Sequence, residues 1–103
     1  MKTFTSRSGN LLSPTLPGWS VIRNNGVHEV YDTEAEAQAA FTAAIETVSA
    51  CVRTRALEPT VQFLPLVTAR GKRGVLAEIL STEPREDGSP YVHTEGSVRI
   101  FRR

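Results

Sequence analysis

Two histidines and one cysteine, His28, His93 and Cys51, are the side chains of this chain best suited to metal binding or nucleophilic chemistry. A zinc site needs His/Cys pairs at close spacing, and these three stand far apart, so no metal is expected and both histidines read as partly exposed strand residues. Cys51 falls at the margin of a helix's apolar stripe, near the helix C-terminal end. The backbone dipole is negative there and disfavours a thiolate, so Cys51 reads as a small packing residue. No serine sits in a Gly-x-Ser-x-Gly elbow. Gly71-Lys72-Arg73-Gly74 lacks the glycine spacing and the Lys-Ser/Thr pair of a phosphate loop, and reads as a hairpin tip. Glu34 and Glu36 are explained by helix capping, while Glu83, Glu86 and Asp87 lie in a polar loop without a recognisable catalytic partner. The expectation is a non-enzyme with no small-molecule cofactor.

Basic residues point elsewhere. Up to residue 50, three basic residues meet five acidic ones, and from Cys51 onward nine meet six, so the halves carry −2 and +3 within a net charge of +1. Arg70, Lys72, Arg73, Arg99, Arg102 and Arg103 would cluster if the last strand lay beside the strands that flank residues 71–74. Such a cluster grips phosphates in a salt-dependent way. Nucleic-acid binding through Arg70, Lys72, Arg73, Arg102 and Arg103 is therefore the alternative function.

The elements that must carry these residues are legible in part. The chain has 103 residues, 22% charged and 40% hydrophobic, as expected for one soluble globular domain. No stretch approaches the ~18 apolar residues of a spanning helix, and the first residues carry no secretory-type apolar run, so a cytoplasmic location is expected. Residues 1–17 read as an irregular arm broken by Pro14 and Pro17, with a short strand at Thr3-Phe4-Thr5 and leucines at Leu11, Leu12 and Leu16. Residues 19–31 form a hairpin around Asn25-Gly26. A two-residue turn sets Val21 against Val30 and Arg23 against His28, with Trp19, Val21 and Val30 facing the core. Thr33 and Glu36 make a capping box that opens a helix over 33–55. Ala37, Phe41, Ala44, Ile45, Val48 and Val52 form its apolar stripe.

Strands fill 61–102. Val61 to Ala69 and Val75 to Ser81 flank the basic tip, and Pro65 marks an edge strand or a bulge. Val75 to Leu80 alone is compatible with a strand or a short helix. Tyr91-Val92-His93 and Val98-Arg99-Ile100-Phe101 read as a last hairpin around Glu95-Gly96. The result is an α+β fold, a single antiparallel sheet in the order ββαββββ with one long helix on one face.

Trp19-x-Val21-x-Arg23 followed by Val30-Tyr31-Asp32-Thr33-x-x-Glu36-Ala37-x-x-Ala40-Phe41 resembles the strand-pair-then-helix pattern of integrase arm-type DNA-binding domains. The likeness spans under a third of the chain. Such domains read DNA with basic residues on the sheet, and Arg23 is the only one on these hairpin strands, so the resemblance implies neither fold nor function here.

Geometry supplies a stronger clue. About six strands at ~4.8 Å spacing make a sheet ~29 Å wide, whereas one helix covers ~10–12 Å. The late strands are apolar on both faces, and two apolar faces need two covers. The favoured function is accordingly a non-catalytic protein-interaction module of accessory or inhibitor type. It would act by surface contact with a second copy or another protein, with Tyr31, Leu64, Leu66, Leu76 and Leu80 as anchors.

Overall fold

A computed structural model of the chain describes residues 4–6 and 18–103; apart from residues 4–6, the arm expected over residues 1–17, with its three leucines, lies outside the described residues. The elements are β1 (Phe4–Ser6), β2 (Trp19–Ile22), β3 (His28–Tyr31), α1 (Glu34–Arg53), β4 (Thr60–Val67), β5 (Arg73–Pro84) and β6 (Pro90–Arg102). They build one antiparallel sheet in the order β1-β3-β2-β6-β5-β4. The helix packs on one face of it, chiefly over β6, with β2, β5 and β3 alongside. The α+β architecture and the hairpin–helix–strands succession are those expected from sequence.

Helix α1 starts where its capping residues say it should. Thr33 Oγ1 accepts the Glu36 N–H at 3.2 Å and donates to Glu36 Oε1 at 3.0 Å, and Glu34 and Glu36 occupy the positive end of the dipole. Ala37, Phe41, Ala44, Val48 and Val52 are buried against Val21, Tyr31, Ala77, Ile79, Val98 and Ile100. Trp19 and Ile45, expected in the core, are half-buried at its margin.

The β2–β3 register corrects the two-residue turn. Arg23 N–H bonds Val27 O at 2.9 Å and Gly26 N–H bonds Arg23 O at 2.9 Å, with Gly26 at φ 85°. The loop is therefore Asn24-Asn25-Gly26, a turn ending in a left-handed residue. One extra loop residue slides the pairing to Trp19↔Tyr31, Ser20↔Val30, Val21↔Glu29 and Ile22↔His28. A one-residue slide exchanges faces. Tyr31 moves under the helix, and Val30 moves to the opposite face with His28.

The last hairpin is also corrected. β6 is one strand that pairs with β5 from Gly74↔Phe101 to Pro84↔Pro90, and Glu95 is the extra residue where the register shifts between Ile79↔Gly96 and Leu80↔Thr94. Chain reversal happens earlier, at Arg85–Ser89, where Arg85 N–H bonds Ser89 O at 2.8 Å. Val75 to Leu80 is strand rather than helix, and Pro65 does lie on the edge strand, β4.

Candidate interaction surfaces

The face opposite the helix is organised in cross-sheet rows. One row runs His28, Ile22, Arg99, Leu76, Leu64, and its neighbour runs Val30, Ser20, Phe101, Gly74, Leu66. Three expected anchors, Leu64, Leu66 and Leu76, therefore meet on one patch, all half-buried. Leu80 shares the face but lies beyond the Glu78–Gln62 row, ~13 Å along the strand from Leu76. Tyr31 is not an anchor. The register slide buries it on the helix side at 7% exposure, and burial pushes its hydroxyl pKa up, with the nearby Glu29 carboxylate adding to the rise.

Strand β4 is apolar on its other face as well. Phe63 is 59% and Val67 67% exposed. Phe63 meets Phe41 of α1 at 6.4 Å between ring centres. Phe41, Ile45, Val61, Phe63 and Val75 line a shallow groove between the helix and this edge strand. The ladder to β5 runs unbroken through Pro65↔Val75, so the N–H that proline lacks falls on the outer edge, where an added strand would need it.

The basic residues come together in part. The β4–β5 turn spans Thr68 to Lys72, held by Thr68 N–H to Lys72 O at 2.8 Å and Gly71 N–H to Thr68 O at 2.9 Å. Thr68 Oγ1 also accepts the Lys72 N–H at 3.0 Å. Gly74↔Phe101 places Arg73 opposite Arg102, and Val67 opposite Arg73 closes the same end. Arg103 bonds back along the sheet, its N–H to Gly18 O at 3.0 Å and its Nη1 to Ser20 Oγ at 2.9 Å. Its pKa is lowered, first by burial and then by repulsion from Arg70. Arg99 lies inboard of the tip beside Leu76.

The histidines separate. His28 is buried, not partly exposed, although the slide carries it to the face opposite the helix; there its ring lies 6.0 Å from Phe101 and its Nε2 3.5 Å from Arg103 Nη1. His93 is half-buried on the outer part of β6, with Nε2 3.2 Å from Glu83 and its ring edge-on to Tyr91 at 4.2 Å. Cys51 is exposed rather than packed. It lines a cleft of about 230 Å³ with Arg23, Asn24, Thr47, Arg55 and Glu95. There Arg55 Nη2 pairs with Glu95 Oε1 at 2.6 Å, the Ser81 hydroxyl donates to the other Glu95 oxygen, and Arg23 Nε pairs with Glu29 at 2.5 Å. The Ser81 bond, with help from Arg55, holds the Glu95 carboxyl below the usual range. Both arginines of the cleft are thus engaged by carboxylates. Among the described residues, no group of three His, Cys, Asp or Glu side chains is placed to hold a metal, and no helix is long and apolar enough to cross a membrane.

The Arg55–Glu95–Ser81 set was not foreseen. Its only sequence signal is an acidic residue next to Gly96, which is indistinguishable from a turn until the bulge is known. Comparison of the chain with protein-family models, with curated proteins and with solved structures returns no match.

Proposed function

We propose that the protein is a non-catalytic interaction module that acts by surface contact through its β4–β5 strands, with a second copy of itself as the partner. One observation carries this reading. The β4–β5 pair at one edge of the sheet is apolar on both faces, Leu64, Leu66 and Leu76 on one and Phe63 and Val67 on the other. Apolar side chains on an edge strand favour burial against a matching surface, and a two-fold dimer supplies that surface without a second gene product. Pro65 on the outer edge disfavours sheet continuation, so the contact is face to face.

Light scattering coupled to size exclusion tests this at about 100 μM, well above the Kd of a micromolar interface. The expected result is a dimer that Leu66→Asp together with Phe63→Asp converts to a folded monomer, with native circular dichroism. A wild-type monomer at that concentration, or a dimer indifferent to both changes, overturns the reading.

A further inference from the structure

The cations of this protein divide into two populations. Arg23, Arg53 and Arg55 each pair with a carboxylate, Glu29, Glu46 and Glu95, and Arg85 lies 4.8 Å over the ring of Tyr91. Arg70, Lys72, Arg73, Arg99 and Arg102 are exposed, and among the described residues no carboxylate pairs with them. Arg99 lies inboard beside Leu76, while the other four occupy one end of the sheet, two on the β4–β5 turn and two on the adjoining ends of β5 and β6. The turn is a closed, hydrogen-bonded loop, so the backbone that carries its cations is held in one conformation rather than on a loose tail. Arg103 lies half-buried behind them, close enough to Arg70 for their charges to repel.

We infer that this end of the molecule, with Arg70, Lys72, Arg73 and Arg102 as contacts, grips the phosphate backbone of double-helical nucleic acid without reading its sequence. Clustered cations without carboxylate partners complement a polyanion, and binding releases the counterions condensed on it. Bidentate base readout uses Arg or Lys for guanine and Asn or Gln for adenine. The turn and its flanks hold no Asn or Gln and the Thr68 hydroxyl is engaged by Lys72, so backbone contact is the role the clustered cations share, and comparison of unrelated duplex sequences tests it against guanine readout. Single strands are held by exposed aromatic platforms on which bases stack. The rings nearest this end, Phe101 beside His28 and Trp19 opposite Arg102, are both half-buried; the exposed Phe63 stands four residues back along β4 against Phe41, and Tyr91 lies at the far end of β6. The duplex is therefore the occupant. This site adjoins the proposed dimer residues, since Val67 pairs with Arg73 and Leu66 with Gly74, but it acts through cations rather than apolar side chains, so the dimer reading can fail while this one holds.

Fluorescence anisotropy with a labelled random-sequence DNA duplex provides the test. Four phosphate contacts give a slope of about −3.6 in log affinity against log salt, a loss of roughly 150-fold between 50 and 200 mM salt. Unrelated duplex sequences should bind alike. Lys72→Glu with Arg73→Glu should weaken binding at least tenfold, and Lys72→Gln with Arg73→Gln by less. Arg53→Glu, on the helix, should leave binding within twofold. Circular dichroism confirms that each variant folds. The inference is overturned by absence of binding at low salt, by wild-type affinity in both tip variants, by tighter binding of the single strand, or by polyglutamate competing as well as duplex does.

Discussion

Glu95 occupies the bulge of β6, and its two oxygens are divided between Arg55 at the end of α1 and Ser81 on β5. One carboxylate thus ties the helix C-terminus to the strand pair beneath it. Its folded-state pKa is lowered, first by the Ser81 hydroxyl and then by Arg55. A depressed carboxyl adds stability above its unfolded pKa, about 4.3, and that contribution disappears as pH falls through the lower folded value. Glu95→Gln should therefore lower the urea midpoint at about pH 7, with a deficit that shrinks progressively as pH falls below the unfolded pKa of about 4.3. A deficit that stays constant from neutral into acid pH would mean that Glu95 acts through packing alone. Ala56, just beyond the helix, has φ 60°, a left-handed conformation that glycine adopts without strain. Ala56→Gly relieves a local cost of 1–2 kcal/mol and gives part of it back as unfolded-chain entropy, for a net gain of about 0.5–1 kcal/mol in chemical denaturation. Neither feature is visible in the sequence. A lone Glu-Gly pair and an alanine after a helix carry no mark of the bulge or of the turned backbone.

The three hairpins share one loop at the level of elements. Arg23 to Val27, Thr68 to Lys72 and Arg85 to Ser89 each close a bond from the first N–H to the fifth carbonyl, with glycine fourth. Three-residue loops of this type end in a left-handed residue that glycine supplies. The glycines were legible, as were the strands around the first two and the capped helix, because periodicity and caps are local signals. Loop length was not. Asn25-Gly26 satisfies a two-residue turn equally well, and the one-residue difference sent Tyr31, Val30 and His28 to the opposite faces. The continuity of β6 was hidden for a related reason, since Glu95-Gly96 has turn composition but forms a bulge. Gly74 tests the sheet as observed. A Cβ there would overlap the carbonyl oxygen of Ile100 and come within 2.5 Å of Phe101 Cβ. Gly74→Ala should cost about 1–3 kcal/mol, the range for forcing an extra carbon into a packed contact. Gly88→Ala meets nothing within 4 Å but places alanine at φ 85°, so its cost should be backbone strain alone, about 1–2 kcal/mol. A Gly74→Ala variant as stable as wild type would contradict the close β5–β6 approach.

At the scale of the whole molecule, the mismatch between a wide sheet and a single helix was foreseeable from strand count and spacing, but strand length governs the shape. The principal extents are 52 × 25 × 23 Å. Length comes from β5 and β6, which outrun their neighbours. β4 pairs β5 only as far as Thr60↔Leu80, and beyond that Ser81 to Pro84 pair His93 to Pro90 as a two-stranded ribbon. The ribbon is tied by the Glu83–His93 contact and by Arg85 stacked on Tyr91, and Tyr91 and Val92 are 44% and 57% exposed. Its base is different, with Ile79, Val98 and Ile100 almost fully buried under the helix. A two-stranded ribbon is marginal by itself, and exposed ion pairs contribute little. One strand should therefore show two stabilities. In native-state hydrogen exchange, the Val98 and Ile100 amides should exchange only through global unfolding, with free energies that fall steeply in denaturant. The Tyr91 amide, which the register turns toward Glu83 while that of Val92 faces outward, should exchange through local opening at lower free energy, nearly independent of low denaturant. Equal protection along β6 would mean that the ribbon unfolds with the core and is held by contacts other than these.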